Sequence, residues 1–421
     1  MIVISHPNKI INVEVNLPAS KSISNRLLVI QFLMQKSFEI EHLSNCNDTN
    51  DLIEALNQIH TAKNRGSEIA TLVDAGEAGT SYRFLTALLA TLPGNYELIG
   101  SEKLMQRPIN TLVDVLRSLG ATIVSKNNNS FGPLLIKGSS LEGGHVKLEA
   151  NTSSQFISAL MLVAPYFKKG LTIELIGNVV SWDYIKMTME LMKLFGATVE
   201  TNQKFIHVSF GPYQTEKKTY RVESDWTAAS YWYAFAMLSK ACNIVLKGLN
   251  EQSFQGDSIV ASIFRLYGIK SHFSPTCVTI TKSANTGFIL DYDFVNNPDL
   301  VQTFAFLHAA LGLNLQINNA ANLRHKETDR ITAIAKEIEK IGGNILLKSD
   351  NDFYLQCKSP TLAQDVAFET YKDHRMAMSM ALLALRFNEI KIANPKVVNK
   401  SYPDFWQHLT KAGFTIEGST F

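Results

Sequence analysis

Residues 111–124, TLVDVLRSLGATIV, contain the pattern that decides the fold of this chain. Apolar residues at helical spacing lead up to Gly120, and a short run rich in β-branched residues follows it. A glycine placed directly after an amphipathic helix adopts the left-handed conformation that ends the helix. β-branched residues in a short run favour a strand. The segment therefore predicts a helix, a glycine stop and a strand.

The same pattern recurs along the chain at nearly constant intervals. Its glycines are 76, 72, 74 and 71 residues apart, at Gly120, Gly196, Gly268, Gly342 and Gly413. A second marker is a small polar residue before an apolar run at helical spacing, and it has a similar period at Ser22, Thr80, Ser153, Asp225, Asn297 and Asp373. Two independent markers with one spacing predict six α/β units of about 70 residues, in two similar halves of three.

Composition excludes several classes of protein. The 421 residues are 46% hydrophobic, which is enough for two or three domains with large cores. A net charge of +2 argues against a binder of nucleic acid without sequence preference. The densest apolar stretch, 156–167, is shorter than the roughly 20 residues of a membrane helix. The four cysteines are well separated, which predicts reduced thiols and no structural metal. No signal peptide is visible, so the sequence predicts a cytoplasmic protein.

Cationic side chains cluster at the predicted helix starts. A helix N-terminus already carries about half a positive charge, so lysine or arginine there is unfavourable unless an anion offsets it. Any one of these residues alone is also typical of a salt bridge or a solvated face. Their equivalent places in the repeat predict a compact polyanionic ligand, bound by Lys21, Arg26, Arg83, Arg107, Lys326, Arg330 and Arg375.

Eight segments, in order from Leu17 to Leu409, resemble one known family. They are LPASKSISNRLL (17–28), EAGTSYRFLTALLA (77–90), QRPINTLVDVLRSLGA (106–121), SSQFISALMLVAP (153–165), NPDLVQTFAF (297–306), NLRHKETDRITAIAKEI (322–338), YKDHRMAMSMALLAL (371–385) and KSYPDFWQHL (400–409). The chain resembles the 5-enolpyruvylshikimate-3-phosphate synthase family, also called 3-phosphoshikimate 1-carboxyvinyltransferase. The SKSISNR, KETDR and DHRMAM motifs are the most specific.

The resemblance implies a fold and a reaction. The fold is an inside-out α/β barrel of two domains with three units each, residues 20–223 in one domain and residues 1–19 with 224–421 in the other. The active site would lie in the cleft between them. The enzyme would transfer the enolpyruvyl group of phosphoenolpyruvate to the 5-hydroxyl of shikimate 3-phosphate, releasing phosphate. The resemblance implies no cofactor, no nucleic-acid or membrane partner, and a monomer.

The resemblance also implies a role for individual residues. Asp299 would be the base on the 5-hydroxyl, Glu327 would protonate the methylene carbon, and Lys21 would stabilise developing charge. The residues implied to bind shikimate 3-phosphate are Lys21, Ser22, Arg26, Ser153, Ser154, Gln155, Ser181, Tyr184, Asp299, Asn322 and Lys326. Those implied to bind phosphoenolpyruvate are Lys21, Gly79, Arg107, Gln155, Arg330, Arg375 and Lys400.

Two alternatives and two questions stay open at this point. The chain could be the related transferase acting on UDP-N-acetylglucosamine, or a relative that binds phosphorylated metabolites without catalysis. Burial would favour a protonated Glu327, whereas Lys326 and Arg330 would favour its charged form. Glu77 stands where many family members have Asn, so the resemblance leaves the affinity for phosphoenolpyruvate and the response to glyphosate open.

Overall fold

Contacts divide the chain into two compact units. The computed structural model describes residues 1–35, 38–63, 70–127, 132–150, 153–284 and 287–418. The terminal unit comprises Met1–Ser20 and Glu223–Phe421, and the central unit comprises Lys21–Val222. The boundaries implied by the resemblance differ from these by one residue at each crossing, and residues 419–421 of the implied second domain lie outside the described ranges. No helix within those ranges is both long and apolar enough to cross a membrane.

Helices alternate with short strands throughout both units. The central unit contains α1 Lys21–Leu33, α2 Asn47–Lys63, α3 Gly79–Thr91, α4 Glu102–Met105, α5 Asn110–Ser118, α6 Ser154–Val163 and α7 Trp182–Leu194. The terminal unit contains α8 Trp226–Leu238, α9 Val260–Leu266, α10 Val301–Leu311, α11 Arg330–Glu339, α12 His374–Met380 and α13 Phe405–Lys411. Short 3₁₀ helices span Ala164–Tyr166, Gly256–Ile259, Pro298–Leu300, Ala321–His325, Ala381–Leu385 and Pro395–Lys400.

The strands follow the same division. Those of the terminal unit are β1 Ile2–Ser5, β2 Ile10–Asn16, β13 Ala241–Lys247, β14 Ile269–Ser274, β15 Cys277–Lys282, β16 Asp291–Asp293, β17 Leu315–Asn318, β18 Asn344–Leu347, β19 Phe353–Gln356, β20 Ala367–Phe368, β21 Ile390–Ile392 and β22 Thr415–Gly418. Those of the central unit are β3 Glu39–Glu41, β4 Thr71–Asp74, β5 Gly94–Ile99, β6 Thr122–Ser125, β7 Leu134–Gly138, β8 Gly144–Glu149, β9 Leu171–Ile176, β10 Val199–Thr201, β11 Phe205–Val208 and β12 Thr219–Arg221.

One sheet topology repeats in both units. The four-stranded sheets have the orders β4-β5-β7-β6, β8-β9-β11-β10, β2-β13-β15-β14, β16-β17-β19-β18 and β20-β21-β1-β22. In each, the first two strands are parallel and the other neighbours are antiparallel. A parallel pair, β3 with β12, forms the remaining sheet of the described residues. This repetition confirms the predicted α/β fold of repeated units.

The five predicted stop glycines all have left-handed backbones. Their φ angles are +99°, +82°, +81°, +80° and +93° in chain order, each between a helix and the strand that follows. The polar markers at Ser153, Asp225 and Asp373 precede α6, α8 and α12, and each accepts a hydrogen bond from a backbone N–H of the first turn. Ser22 and Thr80 instead lie inside the first turns of α1 and α3.

Helices fill the centre of each unit. Residues 226–237 of α8 and 301–310 of α10 are buried on all sides, and so are residues 156–163 of α6. A helix that is apolar all round is buried on every face. The polar and charged residues at the first turns of these central helices therefore stand out against an apolar interior, and they are the candidates for a site.

Candidate active site

Arg330 is the centre of a charged cluster in the terminal unit. It is the first residue of α11 and is only 1% exposed. Its guanidinium donates from Nη1 to Asp299 Oδ1, from Nη2 to Glu327 Oε2 and from Nε to Asp373 Oδ2, each at 2.8 Å. These carboxylates raise the pKa of Arg330 against the opposing effect of burial. Three distant parts of the chain therefore meet at one cation.

Asp373 and Arg375 join the start of α12 to this cluster. One oxygen of Asp373 accepts from the Arg375 backbone N–H at 2.9 Å, and the other binds Arg330. The Arg375 guanidinium reaches the second oxygen of Asp299, with Nη2 to Oδ2 at 3.0 Å. Both oxygens of Asp299 thus contact arginine, and the first turns of α11 and α12 are fixed to the 3₁₀ turn that carries Asp299.

A second buried carboxylate lies behind Asp299. Asp257 accepts from Thr227 Oγ1 at 2.5 Å and from Asn297 Nδ2 at 3.2 Å. Burial, reinforced by the negative charge of Asp299, raises the pKa of Asp257 to about 6. Tyr292 Oη donates to Asn297 Oδ1 at 3.1 Å. Asn297 is therefore held from two sides, which fixes the turn that presents Asp299.

Lys326 shares the electrostatic environment of the cluster. Burial lowers the pKa of Lys326; Asp299 and Glu327 oppose this, whereas Arg330 and Arg375 add to it. An anion next to a buried lysine favours the charged form of that lysine. Lys326 is therefore placed to bind an anionic group beside the two predicted acid–base carboxylates.

Asn322 and Lys400 lie on 3₁₀ helices of the same unit. The buried Asn322 Oδ1 has no hydrogen-bond partner among the described residues. Lys400 ends the 3₁₀ helix Pro395–Lys400, and Tyr402 two residues later is buried. Tyr402 Oη lies 2.8 Å from His408 Nδ1 and accepts from Trp232 Nε1 at 3.2 Å. This buried anchor fixes the backbone that carries Lys400.

In the central unit, two arginines surround the start of α3. Arg83 Nη1 donates to the carbonyl of Gly79 at 2.7 Å. A Cβ atom at position 79 would lie 2.7 Å from Arg83 Nη1 and 2.8 Å from Arg107 Nη1, so only glycine leaves both guanidiniums in place. The first turn of α3 has no acidic residue and no side-chain cap. N–H groups without a side-chain cap and two guanidiniums at one helix start favour a negative charge there, and we call this helix start the α3 site.

The first turns of α3 and α6 are joined by side chains. Gln155 Nε2 donates to Thr80 Oγ1 at 3.0 Å. Ser153 caps α6 through the Gln155 backbone N–H at 3.2 Å, and Ser154 is the first helical residue. Three residues predicted to touch shikimate 3-phosphate, Ser153, Ser154 and Gln155, therefore lie on one helix start close to the α3 site.

Lys21 begins α1 and is paired with an aspartate. Its Nζ lies 2.8 Å from Asp48 Oδ2, and both side chains are largely buried. The backbone carbonyl of Asp48 accepts from Ser81 Oγ at 3.2 Å. Ser81 belongs to the first turn of α3. The Lys21 ammonium is thereby linked to the same helix start as Gly79.

Arg26 lies in the interior of the central unit. It is 2% exposed, and it donates to Thr188 Oγ1 at 2.6 Å, to the Ser22 carbonyl at 2.8 Å and to Ser158 Oγ at 3.2 Å. Nη2 also donates to the carbonyl of Tyr184 at 3.3 Å. Burial lowers the pKa of Arg26 to about 10. Arg26 thus joins α1, α6 and α7, and its predicted contact with substrate stays a prediction.

The segment before α7 has an unusual backbone. Ser181, predicted to contact shikimate 3-phosphate, has φ +57° and is buried. Left-handed conformations are uncommon for residues other than glycine, and they often occur at functional sites. The bond from Arg26 to Tyr184 fixes the turn that follows. Ser181 and Tyr184 are therefore held together at the start of α7.

Several residues of these clusters were absent from the predicted site. Asp373 carried a signal, because it stands at a helix start within a resembling segment. Arg83 was already among the cations predicted at helix starts, although the resemblance assigned it to neither substrate. Asp48 and Asp257 carried none, since neither belongs to a motif. Lys21 and Asp48 are 27 residues apart in the sequence. Thr227 and Asn297, the partners of Asp257, are 30 and 40 residues from it. Only the folded chain reveals these pairs.

Each unit has its own set of polar and charged groups. The terminal unit combines carboxylates that can move protons with cations that can bind an anion. The central unit offers the α3 site for an anion and hydroxyl and amide groups suited to a polar ligand. Many of these groups lie at or just before the first turn of a helix, and the polyanionic ligand stays a prediction.

Comparisons with known proteins agree on one family. The sequence profile of the family described as EPSP synthase (3-phosphoshikimate 1-carboxyvinyltransferase) matches residues 6–409. A 3-phosphoshikimate 1-carboxyvinyltransferase of Bacteroides fragilis (strain YCH46) is 42% identical over 417 residues, covering 98% of each chain. One of Photobacterium damsela subsp. piscicida is 35% identical over 421 residues, covering 96% of this chain and 97% of that one.

A solved structure shares the fold. The EPSP synthase of Acinetobacter baumannii superposes with a TM-score of 0.78 and 20% identity, covering 100% of both chains. The fold, the family profile and the full-length relatives lead to the same conclusion: the chain belongs to the EPSP synthase (3-phosphoshikimate 1-carboxyvinyltransferase) family.

Proposed function

We propose that this chain transfers the enolpyruvyl group of phosphoenolpyruvate to the 5-hydroxyl of shikimate 3-phosphate and releases phosphate. Membership of the family supports this transferase activity, a step in the biosynthesis of aromatic amino acids. The observation that carries the residue assignment is the meeting of Asp299 and Glu327 at Arg330. A base and an acid predicted from separate motifs are thereby brought to one place.

Phosphoenolpyruvate binds through cationic side chains on this proposal. Arg107 and the N–H groups at Gly79 offer the α3 site, and Lys21 lies beside it. The family motifs assign Arg330, Arg375 and Lys400 to the same substrate. Arg83 belongs with this group, because it flanks Gly79 as closely as Arg107 does.

Shikimate 3-phosphate binds through hydroxyl, amide and cationic groups. Lys326 attracts its anionic groups, and Asn322 Oδ1 accepts from a ligand hydroxyl. Gln155 contacts both substrates, since it joins α6 to the start of α3. The remaining contacts come from the starts of α1, α6 and α7, through Lys21, Ser22, Arg26, Ser153, Ser154, Ser181 and Tyr184.

The chemistry needs two proton transfers in the addition step and two in the elimination step. Asp299 removes the proton of the 5-hydroxyl as its oxygen bonds to C2 of phosphoenolpyruvate, and Glu327 gives a proton to C3. The tetrahedral intermediate then returns a proton from C3 to Glu327 and loses phosphate from C2, which leaves with the proton held by Asp299; this restores the double bond and both carboxyl groups. Lys21 stabilises the charge that develops. General acid–base groups of this kind contribute about 10²–10⁴-fold each.

Glu327 must hold a proton when it acts as the acid. In the structure it accepts a hydrogen bond from Arg330, which suits its charged form. Phosphoenolpyruvate at Arg330 and Arg375 competes for the guanidiniums and brings negative charge next to Glu327. Both effects favour the protonated carboxyl. Substrate binding therefore prepares the acid.

Phosphate release from phosphoenolpyruvate, with and without shikimate 3-phosphate, tests the proposal. We expect release only with this acceptor, and none with UDP-N-acetylglucosamine. Glu327→Gln should lower kcat by at least about 100-fold while calorimetric binding of shikimate 3-phosphate is retained. Glu339→Gln is the matched control, because Glu339 is an exposed carboxylate on α11. Unchanged turnover in Glu327→Gln would remove Glu327 from the mechanism.

We further propose that a single chain is the functional enzyme. One chain contains both sets of residues, so the reaction needs no contribution from a second copy. The molar mass of the protein under turnover conditions, measured by light scattering, tests this. A dimer whose dissociation abolishes activity would contradict it.

A further inference from the structure

Two consecutive residues before the charged cluster have an unusual backbone. Tyr371 and Lys372 have φ angles of +54° and +58°. Left-handed conformations are unfavourable for residues other than glycine, and Asn and Asp tolerate them best. Such a pair persists only where surrounding contacts hold it. Directly after it come Asp373 and Arg375, which contact Arg330 and Asp299.

A buried carboxylate holds this turn. Glu337 lies on α11 with its side chain fully buried. Its Oε1 accepts from Tyr371 Oη at 2.6 Å, and its Oε2 accepts from the Glu369 backbone N–H at 3.0 Å and from Lys340 Nζ at 2.7 Å. Lys340 Nζ also donates to the carbonyl of Ala367 at 2.8 Å. We call Glu337, Lys340 and Tyr371 the brace.

The brace and the charged cluster share one helix. Arg330 and Glu337 are seven residues apart, which is about two turns of α11, so both face the same side. The segment 367–375 is therefore fixed to α11 on both sides of Lys372, by two side-chain bonds in addition to the bond from the Glu369 backbone. One is the bond between Arg330 and Asp373, and the other is the bond between Glu337 and Tyr371. Between them lies the left-handed turn.

We propose that Glu337 and Tyr371 are positioning residues, which hold the left-handed turn so that Arg375 is placed to bind phosphoenolpyruvate. This proposal rests on the proposed function. The brace acts through the backbone of residues 371–373 and touches no substrate. Without the Tyr371 hydroxyl, Glu337 Oε1 loses its partner and the turn is free to relax towards negative φ. That relaxation would move Asp373 away from Arg330 and displace Arg375.

Tyr371→Phe is the direct test, since it removes only the hydroxyl. We expect KM for phosphoenolpyruvate to rise about tenfold, the effect of one lost hydrogen bond to a charged group. The Kd of shikimate 3-phosphate alone should change less than twofold. Tyr96→Phe is the matched control, because Tyr96 is a buried tyrosine of the central unit whose hydroxyl donates to the Pro93 carbonyl. It should leave KM unchanged.

A rescue distinguishes positioning from general stability. Lys372 is exposed, and Asn at this position favours the left-handed conformation without help from the brace. We expect Tyr371→Phe combined with Lys372→Asn to recover most of the lost KM, whereas Lys372→Asn alone should change it little. Absence of rescue, or equal changes in KM for phosphoenolpyruvate and Kd for shikimate 3-phosphate, would overturn the proposal.

Hydrogen exchange separates this proposal from the proposed function. In Tyr371→Phe, backbone amides of residues 369–376 should exchange faster, and those of the α13 segment 405–411 should not. This readout requires no turnover. A wild-type chain without phosphate release would therefore refute the proposed function alone, and unchanged exchange at 369–376 would refute the brace whatever the activity.

Discussion

Arg330→Gln removes the cation at the centre of the buried charged cluster. The substitution keeps a polar side chain of similar reach and removes the cation that binds Asp299, Glu327 and Asp373 at 2.8 Å each. Asp373 is fully buried, and Asp299 and Glu327 are largely so. Arg375 remains on Asp299, so the other two carboxylates lose their main counter-charge.

The size of the effect follows from these contacts. A hydrogen bond to a charged group contributes about 1.5–3 kcal/mol, and breaking a buried ion pair costs about 3–5 kcal/mol. Three bonds to one guanidinium are not additive. We therefore expect the free energy of unfolding to fall by about 4 kcal/mol at pH 8.

The pH dependence has a definite sign. In the folded variant Glu327 and Asp373 stay close together with no guanidinium between them. Proton uptake relieves their repulsion, so the variant regains stability as the pH falls. We expect the loss to shrink from about 4 kcal/mol at pH 8 to about 2 kcal/mol or less at pH 5.

Urea unfolding at pH 5 and pH 8 measures both quantities, provided that the slope m is unchanged. Arg324→Gln is the control, because Arg324 pairs with Asp329 at 3.4 Å and both side chains are about one-third exposed. It should cost less than about 1 kcal/mol at either pH. A loss from Arg330→Gln that is equal at pH 5 and pH 8, or below about 1 kcal/mol throughout, would refute this reasoning.

Two further substitutions probe the neighbouring groups. Burial raises the pKa of Asp257 to about 6, so its contribution to stability is present in acid and lost as the pH rises through that value. Relative to Asp257→Asn, the free energy of unfolding of the wild type should therefore rise on the order of 3 kcal/mol from pH 8 to pH 4, measured by urea unfolding. Asp350→Asn, which removes an exposed carboxylate, is the control. A difference between wild type and Asp257→Asn that does not change with pH would count against the raised pKa of Asp257. Gly79→Ala places a methyl group 2.8 Å from Arg107 Nη1, so KM for phosphoenolpyruvate should rise at least tenfold while the free energy of unfolding changes by less than about 1 kcal/mol. An unchanged KM would show that the α3 site does not bind this substrate.

Much of the fold could be predicted because its signals are local. Gly120, Gly196, Gly268, Gly342 and Gly413 each end a helix with a positive φ, and a glycine stop is determined by the residues of one turn. Their regular spacing then predicts repeated units. The sheet orders could not be predicted in this way: β2 pairs with β13, and β1 lies between β21 and β22, although these strands are distant in the chain. Such pairings depend on contacts that no local pattern encodes.

The candidate site likewise has some features that local sequence determines and others that depend on long-range contacts. The sequence alone determined that cations stand at helix starts, and its motifs pointed to Asp299, Glu327 and Arg330, because helix capping and motif identity are properties of neighbouring residues. Only the tertiary structure decided that one guanidinium joins Asp299, Glu327 and Asp373, that Arg26 is buried against Thr188, and that Glu337 holds the turn before Arg375. Which charges neutralise one another depends on separations of a few ångströms between residues far apart in the chain, and only the packing of the buried helices sets those distances.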